Sequence, residues 1–425
     1  MKILLLNQAF HPDLVSSGQH ASDLALALAA EGHEVSVISS RRGYDNPALL
    51  FPKRERWKGI SIHRVGSTTF GKAHRWRRAV DFASSLLGYF AALMFFARQD
   101  ITVALSSPPL IAFAGALFVR LRGGHLVCWT LDLNPAQAIA AGWLKERSVL
   151  SRLMRAQARF AYRTADQIVA LDRYMADHIV RLGVSPQKID VIPPWAHDEA
   201  VKYNEGGRRR FRDAHGLTDK YVVMYSGNHS PCHSLDTLLE TALNLRSNSD
   251  IAFCFVGGGS KFGSVQDFAA RHLLTNIICL PYRKLDELSA SLSAADLQVV
   301  VMGNPYVGMV HPCKIYNILS LGIPLLYIGP SPSHITDLLP LAAVHNWAHL
   351  ASHGDVPGVE TAVLNAQRRS AVSSALERQV AAAFSQRSLT ARLARVVASV
   401  TGPAPLKQMA AAATADDAFY QQRSR

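Results

Sequence analysis

Pro312, Lys314 and Asn317 share one turn in "HPCKIYNILSLGIPLLYIG", just before an apolar helix pattern that ends at Gly322 and Pro324. A proline suits the first turn of a helix, where its missing amide costs nothing. That places Lys314 in the same turn, where the helix dipole is positive. A cation there is unfavourable by about 0.3–1 kcal/mol. The cost is recovered if an anion such as a diphosphate binds at the turn and the lysine completes its neutralisation. Asn317, one turn further on, can hydrogen-bond a ribose hydroxyl. His311, directly before the proline, stands beside the same turn.

Two other loops have the types for such work. Gly227 and Asn228 follow "YVVMYS" and are expected at a strand end and helix start, where a glycine lets backbone amides approach a phosphate. Asp132 follows "HLVCWTL", at the end of another strand pattern. A carboxylate there either binds a ligand hydroxyl or caps the helix expected near Pro135. "VGGGSK" does not match the dinucleotide fingerprint, and no phosphate-loop motif occurs.

These loops need elements to hold them. Short Val-, Ile- and Leu-rich runs alternate with helix-length segments from "KILLLN" through "EVSVISS", "ISIHRVG", "ITVALS", "HLVCWTL" and "QIVAL" to "IDVIP". After a polar stretch with Arg208, Arg209, Arg210 and Arg212, read as linker leading into a helix, the pattern restarts with "YVVMYSG", "IAFCFVGGG", "NIICLP", "LQVVVM" and "PLLYIG". Alternation with continuous apolar strands predicts an α/β fold of two doubly wound, Rossmann-like domains. The expected limits are 1–200 and 201–380, then a C-terminal helix over 381–402 and a loose tail over 403–425. In such sheets ligands bind beyond the carboxyl ends of the strands, here in a cleft between two facing domains.

A chain of 425 residues suits two domains. The net charge of +13 implies anionic company. Nucleic acid is not expected, because helix-turn-helix, zinc-finger and RNA-binding signatures are missing. Lys72, Arg75, Arg77 and Arg78 surround Trp76, ahead of the uncharged run Phe82 to Ala97, whose 16 residues fall short of the ~20 that span a bilayer. Reversible docking on an anionic membrane surface is expected there. "MKILLLNQAF" reads as a strand, not as a signal peptide. Five cysteines without metal-ligand spacing suggest buried, reduced thiols and a cytoplasmic protein.

"HPCKIYNILSLGIPLLYIG" resembles the P-S-K-x-x-E segment of the family 4 glycosyltransferases with the GT-B fold, especially bacterial members that build exopolysaccharide and O-antigen repeat units. "AEGHEVSVIS", "SSPPLIAFAGALFVRLRGGHLVCWTLDLNPAQAIAAGWL", "YRTADQIVAL", "KIDVIPPW", "MYSGNHS", "FVGGGSK" and "LSAADLQVVVM" carry the likeness to about residue 400. The resemblance implies a nucleotide-sugar donor, most simply a UDP-sugar, and transfer with retention. No metal or other cofactor is implied. The acceptor would be a polyprenyl-diphosphate-linked or other glycan at the inner membrane face. Lys314 would neutralise the diphosphate, with Gly227, Asn228 and Gly308 beside it; Ser17 and Gly18 would line the cleft and Tyr282 would lie near the base. Asp132 and His311 are the catalytic candidates.

The chain departs from that pattern at several points. Asn317 stands where the family has a glutamate, and in strict register Met309 stands where its partner glutamate would be. The basic residue usual after the "SGN" glycine is replaced in "PCHSLD" by His233. Two alternatives follow: a nucleotide-sugar epimerase of the same fold, which would want several carboxylates near its strand ends, and a non-catalytic partner subunit.

Overall fold

The computed structural model describes residues 1–13, 15–44, 46–70, 75–197, 201–338, 348–368 and 383–402, without the side chains of residues 75, 76, 78 and 79. The chain forms two units: Met1–Pro193 with the segment that starts at Arg387, and Pro194–Gln386.

The first unit is built on eight strands: β1 (Lys2–Leu6), β2 (Glu34–Ser40), β3 (Arg54–Trp57), β4 (Ile60–Val65), β5 (Ile101–Ala104), β6 (His125–Trp129), β7 (Gln167–Ala170) and β8 (Ile189–Val191). Their order is β3-β4-β2-β1-β5-β6-β7-β8. Every pairing is parallel except β3 with β4, a hairpin at the sheet edge that turns through Lys58 and Gly59, both at positive φ. The helices are α1 (Ser16–Ala30), α2 (Arg75–Met94), α3 (Ile111–Arg122), α4 (Ala136–Ala140), α5 (Val149–Thr164) and α6 (Arg173–Arg181). Ala21, Leu24, Ala25 and Leu28 bury one face of α1 at spacings of three and four, and Gly32 at φ +83° turns the chain out of it.

The second unit holds β9 (Tyr221–Asn228), β10 (Ile251–Gly258), β11 (Ile277–Leu280), β12 (Leu297–Val301), β13 (Leu325–Ile328) and β14 (Ala348–Ala351), all parallel, in the order β11-β10-β9-β12-β13-β14. Its helices are α7 (Glu205–Ala214), α8 (Asp236–Asn244), α9 (Phe262–Arg271), α10 (Leu285–Ser293), α11 (Lys314–Leu321), α12 (His334–Leu338) and α13 (Val356–Arg368). A last helix, α14 (Gln386–Ser399), runs into the first unit's C-terminal segment.

Period-two alternation sorts the second sheet into two cores. Val223, Tyr225, Phe253, Phe255, Val299 and Val301 pack on one face; Val222, Met224, Ala252, Cys254 and Val256 pack on the other. The arginine run expected as linker has a structural task. Arg208 and Arg212 both bind the Asp296 carboxylate, which also accepts from the Val222 amide at 2.7 Å. This clamps α7 onto the starts of β9 and β12.

The strand order reverses beside β9 in this unit, because the chain runs outward through β10 and β11 and then returns to β12 on the other side. Loops at such a switch point diverge and leave room for a ligand. The loops after β9 and β12 carry Gly227–Asn228 and Lys314.

Candidate functional site

Lys314 is the first residue of α11, with Cys313 at the N-cap and Pro312 one residue before it, so the proline precedes the first turn instead of lying in it. The Pro312 carbonyl still starts the helix, accepting from the Ile315 amide at 3.3 Å. Ile315, Tyr316, Ile318 and Leu319 are buried along α11 and are worth about 1.5–3 kcal/mol each, so the helix holds its lysine firmly.

The Lys314 Nζ lies 3.4 Å from the centroid of the Tyr225 ring. It is enclosed and has no hydrogen-bond partner among the described residues. Burial holds the amine well below the usual lysine range. Beside it is Gly227, where an added methyl would meet Nζ at 3.1 Å. Gly227 sits at φ +136°, which glycine alone adopts without strain. Sequence reasoning did not find Tyr225, because a tyrosine in a strand reads as core; here it supplies an electron-rich face for the cation.

Two histidines complete this group. His229 packs edge-on against Tyr225 with ring centroids 4.9 Å apart, and its Nδ1 lies 3.0 Å from the Gly227 carbonyl. Its Nε2 is enclosed without a partner among the described residues. The His233 Nδ1 lies 2.8 Å from the Val301 carbonyl. Burial first, then the Lys314 charge, lowers His229 to about 4 and His233 to about 3. Both histidine rings are therefore neutral near pH 7 and can take up protons when an anion arrives.

The other expected residues fall as follows. Gly227 and Asn228 end β9 in register with Gly257 and Gly258, and no helix begins there; the next one, α8, starts at Asp236. The helix-start expectation was wrong because the glycines of β9 and β10 extend the ladder instead of turning the chain. Tyr282 is exposed and lies over the end of β10, where a methyl on Gly258 would meet its Cε2 at 2.9 Å. Gly308 turns at φ +68° in the loop between β12 and α11. Asn317 spends its side-chain oxygen on the His197 amide, at 3.0 Å. His311 is buried, with Nε2 2.7 Å from the Tyr316 hydroxyl and its ring stacked on His334 at 3.9 Å.

The remaining three belong to the first unit. Ser17 and Gly18 open α1; the Ser17 carbonyl accepts from Asn7, and a methyl on Gly18 would meet Ala9 Cβ at 3.1 Å. Asp132 follows β6, its amide donating to Ser106 Oγ at 3.0 Å. It does not cap α4, whose N-cap is Pro135 and has no side-chain hydrogen bond. Asp132 instead helps to line a pocket together with Ser106, Pro109, Phe113, Thr130 and Tyr162. Burial raises the Asp132 carboxyl from 3.8 to about 6.

Residues 17–195 match the model of the glycosyl transferase 4-like domain. The chain is 24% identical over 334 residues to WcaI of Escherichia coli (strain K12), a glycosyl transferase named for colanic acid biosynthesis, covering 76% of this chain and 82% of that one. Residues 17–195 thus form a glycosyl transferase 4-like domain, and the chain is a glycosyltransferase. The enzyme has the GT-B fold. Sucrose-phosphate synthase from Thermosynechococcus elongatus superposes with TM-score 0.74 at 13% identity, over 94% of this chain and 99% of that one. Anabaena Alr3699/HepE, solved in complex with UDP and glucose, superposes with TM-score 0.70 at 15% identity, over 94% and 100%.

Proposed function

We propose that the enzyme transfers a sugar from a UDP-sugar, with retention, to a lipid-linked or other glycan acceptor in cell-surface polysaccharide synthesis, at the inner face of the membrane. The enclosed Lys314 amine at the start of α11, beside Gly227 and without a hydrogen-bond partner among the described residues, carries this reading. In the reaction the bond from the anomeric carbon to the diphosphate breaks and the acceptor oxygen bonds to that carbon on the same face. The departing diphosphate takes the negative charge, which falls to Lys314 and the α11 dipole to stabilise, with no resident metal required. It also accepts the acceptor's proton, so no separate base is needed.

Asp132 serves the acceptor side. Its pocket joins apolar walls to one carboxyl group, a chemistry suited to holding a single hydroxyl of the acceptor. A UDP complex of HepE supports the choice of base. The basic cluster expected to meet the membrane lies largely outside the described residues: Lys72 wholly, and Arg75, Trp76 and Arg78 in their side chains. Arg77 is described and reaches the Phe70 carbonyl at 3.5 Å.

The test is a panel of nucleotide sugars screened by melting temperature, followed by turnover with polyprenyl-diphosphate glycans. Stabilisation by UDP-sugars and transfer to a lipid-linked glycan are expected. Turnover of the donor to an isomeric nucleotide sugar without acceptor would overturn the proposal.

A further inference from the structure

The interior of the second sheet and the loops beyond its strand ends hold no acid. Neither Asp nor Glu occurs in residues 221–235, 251–266, 277–285 or 297–336, which cover β9 to β13 and the loops after them. The same stretches carry Lys261, Arg283, Lys284 and Lys314, with four histidines. The first unit differs, with Asp13 after β1, Asp132 after β6 and Asp172 after β7. The first acids after the β9 and β11 loops, Asp236 and Asp286, lie exposed on the opening turns of α8 and α10. Asp236 is also occupied, accepting from Ser234 Oγ at 2.7 Å.

The side chains gathered at this edge take negative charge. Lys314 Nζ is enclosed at the start of α11. The Nδ1 atoms of His229 and His233 face the carbonyls of Gly227 and Val301 at 3.0 and 2.8 Å. A carbonyl only accepts, so each neutral ring keeps its proton on Nδ1 and leaves Nε2 bare. Neither Nε2 has a hydrogen-bond partner among the described residues. The loop that carries these rings is held firmly. The His229 amide donates to the Gly258 carbonyl at 2.7 Å, the Lys261 amide donates to the His229 carbonyl at 2.9 Å, and the His229 ring packs edge-on against Phe262.

The diphosphate of a nucleotide sugar carries one negative charge on each phosphate. Lys314, His229 and His233 can carry one positive charge each, which is one more than the diphosphate balances. Burial and the Lys314 charge hold both rings neutral, so added negative charge is what makes their protonation favourable. A neutral hexose presents hydroxyl protons, for which these stretches offer no carboxylate, and the Asn317 side-chain oxygen is already used by the His197 amide. We propose that the donor sugar is a hexuronic acid, with the diphosphate at Lys314 and the sugar carboxylate on the histidines of the loop after β9. This rests on the donor reading above and narrows it to acidic sugars.

UDP-glucuronic acid and UDP-glucose differ only by a carboxylate in place of a hydroxymethyl group. Both are titrated into the full chain at neutral pH with UDP as reference, and UDP-galacturonic acid with UDP-galactose repeats the comparison for the other ring configuration. The acidic member of at least one pair should bind about tenfold more tightly than its neutral partner. His233→Asn keeps a donor for the Val301 carbonyl but removes the ring that takes up a proton, and should bring that ratio close to one. The wild-type comparison stands whether or not this variant folds. UDP binding without preference for the acidic member of either pair would overturn the inference and leave the donor reading intact. A ratio unchanged in folded His233→Asn would overturn the place given to the carboxylate. Failure of UDP itself to bind would overturn the donor reading and this inference together.

Discussion

Lys314 rests its ammonium group 3.4 Å above the ring of Tyr225, so the two strands at the switch point of the second sheet meet in a cation–aromatic pair. The ring comes from β9 and the amine from the helix after β12. The pair leaves Nζ with unused donors at a helix N-terminus, a charge arrangement that is unfavourable until an anion arrives.

Proton uptake should accompany UDP binding. In the free protein Lys314 lies below its usual range, and His229 and His233 lie at about 4 and about 3. A bound diphosphate raises all three, so the complex holds more protons than the free protein. Affinity then falls as pH rises above about 7, where the diphosphate is already fully ionised, by about tenfold per pH unit for each proton taken up. Calorimetry in buffers of different ionisation heat measures the uptake. Heats independent of buffer would remove the coupling.

Gly257→Ala should damage the site from beneath. The added methyl would meet the Gly227 carbonyl at 2.1 Å, at a residue with φ +137°. Backbone strain and overpacking together cost about 2–4 kcal/mol. Denaturant unfolding should report this loss, and the UDP-induced rise in melting temperature should shrink as Gly227 is displaced.

Both interior sheets were legible in the sequence, because parallel strands covered on two faces read as unbroken apolar runs. Two edge strands were not. "RERW" of β3 looks like charged surface, and "AHLA" of β14 is too short and mixed to announce itself. The lysine was legible from its turn, whereas its surroundings were not. Tyr225 reads as core, His229 reaches the site through a carbonyl contact, and Asn317 meets His197 from 120 residues away. Such partners are set by the sheet order, which residue spacing does not encode. The clamp made by the arginines of α7 was not legible either, because their common partner, Asp296, lies more than eighty residues on.

Asp132→Asn should stabilise the protein above neutrality. The folded-state carboxyl lies at about 6 and the ordinary value is 3.8, so its charge costs stability that is absent below about pH 4 and complete above about pH 6. Removing the charge should raise stability by up to about 3 kcal/mol at pH 8, with no gain at pH 3.5. Sugar transfer should drop sharply in the same variant while UDP binding is unchanged. Full transfer activity would remove Asp132 from the acceptor site.

The account depends most on the anion at Lys314, and titration of UDP into the wild-type protein and Lys314→Ala tests it directly. The variant should fold, because it deletes an enclosed amine that has no partner among the described residues. At a hundredfold excess over the dissociation constant UDP should stabilise the wild type by about 2.7 kcal/mol, and Lys314→Ala should lose most of that effect. Equal stabilisation of the two proteins would contradict the assignment of the diphosphate to Lys314.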